Sequence, residues 1–174
     1  MIDPANALRY ERTAIAQGEW WRLLTGHLVH LGAWHAALNA AAFLVLWILF
    51  RRDYRLRQWL LIVIVSIVAI DAGLWLLDPR IEWYVGASGA LHGIAAAGAV
   101  SRIRQMRREG WVLAALLVVK LSYEQARGAM PFTESMPVVV DAHLYGAIGG
   151  TFAALLTWCF CRTRARERKA SRPD

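Results

Sequence analysis

The sequence lacks most of the short motifs by which soluble enzymes are recognised. It contains no GxGxxG or phosphate-binding loop, no HExxH zinc motif and no Asn-x-Ser/Thr glycosylation acceptor. The chain has two cysteines, Cys159 and Cys161, which lie two apart on a predicted helix, so their side chains diverge and cannot pair. No carboxylate or cysteine completes a metal-ligand set with the five histidines at a usable spacing. We therefore expect neither a cofactor nor a metal ion.

Apolar residues dominate instead. Of the 174 residues, 57% are hydrophobic and the mean hydropathy is +0.35, whereas a typical soluble domain is about half apolar. A membrane-spanning helix needs about 20 mainly apolar residues. Four stretches approach that length and a fifth is shorter and rich in alanine and glycine: Ala33–Phe50, 58–77, 111–123 and 142–161, and the shorter 88–101. We predict an all-α membrane protein, a helical bundle with five transmembrane helices and no soluble module.

The distribution of charge predicts an orientation. The net charge is +7, and the basic residues cluster after the spans that end near residues 50, 101 and 161. The connections 78–87 and 128–140 between these clusters are poor in basic residues. The positive-inside rule then places the three clusters in the cytoplasm and both connections outside. Because this alternation already explains the basic residues, we expect no nucleic-acid partner.

The same rule divides the chain into three parts. Residues 1–32 form an N-terminal segment and loop at the outer face, residues 33–161 form the transmembrane domain, and residues 162–174 form a basic cytoplasmic tail. Residues 1–17 carry several charges and no apolar core like that of a signal peptide, so they cannot span the membrane. An external N-terminus without a leading span leads us to expect that an upstream helix is missing.

A serine and a histidine lie inside separate apolar spans. Ser88 follows Gly86-Ala87 at the start of the short helix, and His143 lies near the start of the last span. A serine hydroxyl becomes a good nucleophile when a neighbouring base takes its proton, and a helix N-terminus favours developing negative charge. The pair therefore suggests peptide-bond hydrolysis within the bilayer. The alternative for Ser88 is a small-residue packing contact between helices.

The depth of Ser88 and of His143 in the membrane can be estimated from the number of residues between each of them and the next basic cluster. At a rise of about 1.5 Å per residue, Ser88 lies about 21 Å and His143 about 28 Å above the inner interface. That difference is larger than a hydrogen bond allows. Helix tilt, or a last helix that continues into the headgroups, would close it.

Other polar residues also fall within the spans. His35 and Asn39 lie one turn apart on one helix face, and a buried amide in lipid needs a partner, which an interhelical hydrogen bond could also supply. Asp71 lies in the span 58–77, and Lys120 and Glu124 form an i, i+4 pair at the end of the span that begins at 111. Charges inside a membrane are costly and so suggest function, although an ion pair that staples the helix would also account for Lys120 and Glu124.

These residues resemble a known family. The segment that begins Trp21-Arg22, followed by His35-Ala36-Ala37-Leu38-Asn39, resembles the Trp-Arg loop and the His-x-x-x-Asn second helix of rhomboid intramembrane serine proteases. Gly86-Ala87-Ser88-Gly89 resembles their Gly-x-Ser-Gly motif. His143, followed by glycines, resembles their last core helix. The resemblance covers about residues 19–156 and implies a rhomboid-like bundle whose usual first helix is absent here.

The resemblance also implies roles. Ser88 and His143 would form a catalytic dyad without a third acid, while Asn39 and His35 would donate to the oxyanion together with the Ser88 backbone N–H. Four residues after Ser88, where rhomboids often carry an aromatic residue packed on the catalytic histidine, this chain has His92. This imidazole could stack in the same way and modulate the base, or compete with it.

A narrower resemblance points to a substrate. The segments 18–27, 86–93 and 138–146 are similar to the rhombosortase branch of the family, which is associated with secreted proteins that carry a C-terminal Gly-Gly, an apolar helix and a basic tail. It implies a multi-pass protein of the bacterial inner membrane, with its C-terminus in the cytoplasm. Two alternatives are a generic rhomboid protease with other single-pass substrates and an inactive rhomboid-like protein that binds membrane helices. A small-solute transporter would need paired broken helices and an internal repeat, and neither is seen.

Overall fold

A helix of small residues forms the centre of the bundle. The computed structural model describes residues 4–130 and 138–170, with side chains for 6–130 and 138–158. Helix α6, Ser88–Arg104, has ten buried residues, most of them glycine or alanine. The other long helices pack around it: α4 (Ala33–Phe50), α5 (Leu56–Leu76), α7 (Arg108–Arg127) and α8 (Asp141–Ala170).

The helix bounds can be compared with the predicted spans. Helix α4 has the predicted bounds, α5 is shifted by one or two residues, and α6, α7 and α8 are longer than their predicted spans. Among the described helices, α4 and α5 are long and apolar enough to cross a membrane by length and composition alone. The helical architecture is therefore observed, while five transmembrane helices stay a prediction.

The outer helices turn large apolar side chains away from the bundle. Ile48 of α4, Ile64 of α5, Val119 of α7 and Phe152 of α8 are each more than half exposed. Soluble proteins rarely expose so many large apolar side chains, so these faces indicate a lipid or protein environment. Small residues line the buried face of α6, as expected for helices that pack closely in a membrane, and large side chains such as Phe50 and Trp59 fill the core beside it.

Helices α6 and α8 touch backbone to backbone. A Cβ atom added at Gly146 would overlap the carbonyl oxygen of Gly89, and one added at Gly150 would overlap that of Gly93. This contact fixes the register of the two helices near their N-terminal ends. At their other ends, the guanidinium of Arg104 lies 4.7 Å from the centre of the Trp158 ring.

The N-terminal segment folds onto the end of the bundle where α6 begins. It contains α1 (Pro4–Leu8), α2 (Arg12–Ala16), α3 (Arg22–Thr25) and the strand β1 (Tyr10–Glu11), which pairs antiparallel with β2 (Trp83–Tyr84). The buried guanidinium of Arg22 donates to the carbonyl oxygens of Asn6 (2.9 Å) and Arg9 (3.0 Å) and to the Glu19 carboxylate (2.6 Å). One buried cation thus satisfies several acceptors of a segment that has little regular structure.

Charged groups tie together the opposite end of the bundle. The Arg102 guanidinium donates to Asp53 Oδ2 at 2.7 Å and to the carbonyl oxygen of Leu49 at 2.5 Å. The C-terminal ends of α4 and α6 therefore meet, and Trp158 of α8 lies beside Arg104 at the same end. This arrangement agrees with the alternation of charge in the sequence. The side of the membrane on which this end lies stays a prediction.

Candidate active site

Ser88 is the first residue of α6 and follows a tightly held loop. Gly86 has a φ of +118°, a conformation that glycine adopts easily and other residues avoid. Its N–H donates to the carbonyl oxygen of Gly26 at 2.9 Å, and its own carbonyl accepts from the Tyr84 hydroxyl. A Cβ atom at Gly86 would lie 2.9 Å from Cε1 of His35, so the loop passes directly over that ring. The start of α6 is thereby fixed against α4.

The hydroxyl of Ser88 meets the ring of His143. Ser88 Oγ lies 2.9 Å from His143 Nε2, within hydrogen-bond distance, and His143 is buried. The register of α6 and α8 explains why the estimated difference in depth disappears. Arg104 lies sixteen residues after Ser88 and contacts Trp158, which lies fifteen residues after His143. Arg162 therefore lies about one turn beyond the level of Arg104, and counting back from it placed His143 too high.

A carboxylate also contacts the histidine. Glu124 Oε2 lies 3.0 Å from His143 Nδ1, and the other oxygen of the same carboxylate lies 2.6 Å from Lys120 Nζ. The resemblance implies a serine and histidine without an accompanying acid, whereas in this structure a carboxylate also contacts the histidine. The available signal was the Lys120–Glu124 pair inside an apolar span, but nothing in the sequence linked it to His143.

His92 stacks on His143. The ring centroids are 4.2 Å apart and the planes differ by 19°. His92 Nδ1 lies 2.7 Å from the backbone carbonyl oxygen of Ser88, so Nδ1 carries the hydrogen of that bond. His92 therefore packs as an aromatic ring, and its hydrogen bond is to the backbone of Ser88. The hydroxyl of Ser88 bonds to His143.

The two remaining predicted residues line the same cavity as Ser88. This cavity has a volume of about 240 Å³. The backbone N–H of Leu31 donates to His35 Nδ1 at 3.3 Å, so the neutral ring of His35 carries its hydrogen on Nε2. Asn39 Nδ2 donates one hydrogen to the carbonyl oxygen of His35 at 2.9 Å and keeps a second. Apolar residues such as Leu38 and Leu91 share the lining with these polar residues: His35, Asn39, Ser88, His92, Lys120, Glu124 and His143.

Asp71 lies apart from this cavity. Its Oδ1 lies 3.1 Å from His27 Nε2, and the ring of His27 packs edge to face on Tyr84. Asp71 therefore pairs a buried histidine near the N-terminal segment. His30 lies 5.1 Å from His35, measured between ring centroids, and its Nε2 has no hydrogen-bond partner among the described residues.

Three potential metal ligands do come together. Ligand atoms of His92, Glu124 and His143 all lie within 4.8 Å of one another. The two rings are stacked nearly parallel, however, so their in-plane lone pairs cannot converge on one ion at the ~2.1 Å that zinc requires. An ion would also compete for the nitrogen or carboxylate atoms that hold Ser88 and Lys120. The geometry favours a hydrogen-bonded chain over a metal centre.

The sequence of the chain is similar to that of a known family. A family model described as the rhomboid domain matches residues 17–160. This chain belongs to the rhomboid family. Membership and the two apolar helices make it a membrane protein, and the Ser88 and His143 contacts fall inside the matched rhomboid region.

Two rhomboid relatives from Bacillus subtilis (strain 168) are similar to most of the chain. Rhomboid protease GluP is 30% identical over 148 residues, which are 83% of this chain and 27% of GluP. Putative rhomboid protease YdcA is 27% identical over 142 residues, 82% of this chain and 69% of YdcA. The chain thus spans little more than a quarter of GluP. No solved structure matches it.

Proposed function

We propose that this rhomboid is an intramembrane serine endopeptidase in which Ser88 is the nucleophile and His143 its base. The observation that carries the proposal is the 2.9 Å contact between Ser88 Oγ and His143 Nε2, at the wall of a cavity that also contains His35 and Asn39. Nucleophile, base and donors that can face one reacting carbonyl are the parts that acyl transfer requires. The names of the two relatives support the same activity.

The first half of the reaction forms an acyl-enzyme. Ser88 Oγ attacks the substrate carbonyl carbon as its proton passes to His143 Nε2. The carbonyl oxygen becomes an oxyanion. When the tetrahedral intermediate collapses, the C–N bond breaks and His143 gives the proton to the leaving amine. In the second half, water attacks the ester carbonyl, gives a proton to His143 and releases the acid, while Ser88 regains its own proton.

The oxyanion would be stabilised by three donors. The backbone N–H of Ser88 is free of an intrahelical partner because Ser88 is the first residue of α6. His35 presents Nε2–H and Asn39 presents its second amide hydrogen in the same cavity. Donors held in place before the reaction, in a site that excludes water, stabilise charge more strongly than they would in water.

The substrate we propose is a secreted protein with a C-terminal Gly-Gly, a single apolar helix and a basic tail. A helical peptide must unwind to expose a carbonyl, and glycine lowers that cost because it favours helix poorly. The tail would hold the substrate in the same orientation as this chain, with its soluble part on the outer side of the bacterial inner membrane. The similarity to the rhombosortase branch supports this choice over a single-pass substrate without glycines.

Two measurements test the proposal. A serine-reactive fluorophosphonate should label the purified wild type and leave Ser88→Ala unlabelled. A secreted reporter with the Gly-Gly, helix and basic tail, co-expressed with the enzyme, should be released by cleavage at or near Gly-Gly, as read by mass spectrometry. Absence of labelling and of cleavage would contradict the peptidase. Cleavage that is unchanged by a Gly-Gly→Leu-Leu substitution would leave a peptidase with a different specificity.

A further inference from the structure

Helix α7 places a carboxylate against the catalytic histidine. Only three of its twenty residues are buried, and Glu124 is one of them. Leu121, on the same face, packs between Ala96 of α6 and Ala147 of α8. The face of α7 that enters the bundle therefore brings Glu124 to His143. A buried carboxylate is strongly destabilising unless it is paired and hydrogen-bonded, so this placement calls for an explanation.

We infer that Glu124 is a positioning residue for His143, and that Lys120 in turn holds Glu124. The inference rests on the proposed function. It extends the catalytic pair to a chain of four groups in contact, from Ser88 Oγ through the His143 ring and the Glu124 carboxylate to Lys120 Nζ, with successive distances of 2.9, 3.0 and 2.6 Å.

The carboxylate acts on the ring in two ways. It accepts the hydrogen of His143 Nδ1, which leaves the lone pair on Nε2 facing the Ser88 hydroxyl, the tautomer that a general base needs. When Nε2 takes the serine proton, the ring becomes an imidazolium, and the adjacent negative charge stabilises it. The proton stays on the ring, and Glu124 remains ionised throughout the reaction.

An ion pair that only stabilises α7 does not account for these contacts. A Lys–Glu pair at i, i+4 stabilises a helix when both groups lie on its surface. Here the side chain of Glu124 is 3% exposed and that of Lys120 is 32% exposed, and the second carboxylate oxygen leaves α7 to meet α8. Lys120 supplies the countercharge that allows the carboxylate to stay ionised in a site of low dielectric.

Among the described residues that line the cavity with Glu124 and Lys120, the other titratable groups are histidines. They are His143 on α8, His92 stacked behind it on α6, and His35 across the cavity on α4. In the described part of the chain, the Glu124 carboxylate pairs with His143 and Lys120. Removing the carboxylate would leave Nδ1 without the acceptor that fixes the tautomer.

The test compares two identical substitutions on one helix. Glu124→Gln keeps the size of the side chain but removes its charge and can present an N–H to Nδ1. Glu109→Gln makes the same change at a site on α7 where the side chain is 59% exposed and pairs with Arg107. We expect Glu124→Gln to lower kcat on the reporter by about 10²- to 10⁴-fold with KM little changed, and Glu109→Gln to keep wild-type kcat. Wild-type kcat in Glu124→Gln would overturn the inference.

A second measurement is independent of turnover. In ¹⁵N-histidine NMR of the detergent-solubilised wild type, with the signal assigned by its loss in His143→Ala, we expect the neutral ring of His143 to carry its hydrogen on Nδ1. Glu124→Gln should lose this single tautomer. A wild-type ring protonated on Nε2 would overturn the inference. If Ser88 is unlabelled and the reporter uncut, the proposed function fails, and the tautomer measurement still decides the role of Glu124.

Discussion

The imidazole of His92 lies flat against that of His143, with the ring centroids 4.2 Å apart, while its Nδ1 bonds to the backbone carbonyl oxygen of Ser88. Stacking of this kind would hold the proposed base in place. We therefore propose that His92 shapes the site, since its hydrogen bond in the described part of the chain goes to the backbone of Ser88 and the Ser88 hydroxyl contacts His143.

The role of His92 can be separated from that of the base. His92→Phe preserves a flat ring but cannot accept a proton, so we expect it to keep turnover within about 10-fold of wild type, whereas His143→Ala should lose about 10⁴-fold or more. Initial rates on the reporter in liposomes provide the measurement. If His92→Phe loses activity and His143→Ala keeps it, His92 would be the base and His143 the stacked ring.

The oxyanion donors predict a graded loss. Asn39→Ala removes one amide hydrogen from the cavity, so we expect turnover to fall roughly 10- to 1000-fold, the range for losing a single donor. Labelling of Ser88 by a small fluorophosphonate should fall less than peptide cleavage. Ala41→Val, on an exposed position of the same helix, is the control. Unchanged turnover in Asn39→Ala would make the amide structural.

Close packing of α6 on α8 predicts sensitivity at one glycine. Gly146→Val would force side-chain atoms into the Gly89 carbonyl and push the two helices apart. We expect a loss of about 1–3 kcal/mol or more in the free energy of unfolding, together with a loss of activity as Ser88 and His143 separate. Thermal unfolding in detergent measures the first effect. Wild-type stability and activity would show that the helices can approach without this glycine.

The buried arginine of the N-terminal segment predicts a difference between two basic side chains. Lysine cannot reproduce the several directed donors that Arg22 aims at Asn6, Arg9 and Glu19. We therefore expect Arg22→Lys to make this segment markedly more sensitive to limited proteolysis. The same change at the exposed Arg80 should have no effect. Equal cleavage of both variants would mean that the segment is held by other contacts.

Much of the bundle could be predicted from the sequence because its elements are apolar runs of helical length. The bounds predicted for helix α4 agree with the structure, and the motifs around Ser88 and His143 single out two residues that the structure brings into contact. The relative depth of Ser88 and His143 in the membrane was harder to predict. Helix α8 continues past Arg162 to Ala170, so the position of Arg162 is a poor marker of the membrane surface. Counting residues back from Arg162 therefore places His143 too high in the membrane. The register is set by glycine contacts between α6 and α8, which depend on tertiary packing.

Glu124 shows a second limit on what the sequence can predict. Its spacing from Lys120 on α7 was visible in the sequence, and the same spacing fits both a helix staple and a functional pair. Whether the Glu124 carboxylate reaches another helix depends on the rotation of α7 about its own axis. The packing of Leu121 and Gly110 fixes that rotation. The fold of residues 4–32 was also missed, because short helices held by Arg22 leave no periodic pattern.

We propose that Ser88 and His143 act as one unit in peptide hydrolysis. The most direct measurement is the turnover of the Gly-Gly reporter in liposomes by the wild type, Ser88→Ala, His143→Ala and the double variant, each checked for correct folding and insertion. Since both groups serve the same proton transfer, we expect each single variant to lose nearly all activity and the double variant to lose no more than either one. Losses that multiply in the double variant, or cleavage by Ser88→Ala at the wild-type rate, would contradict the account.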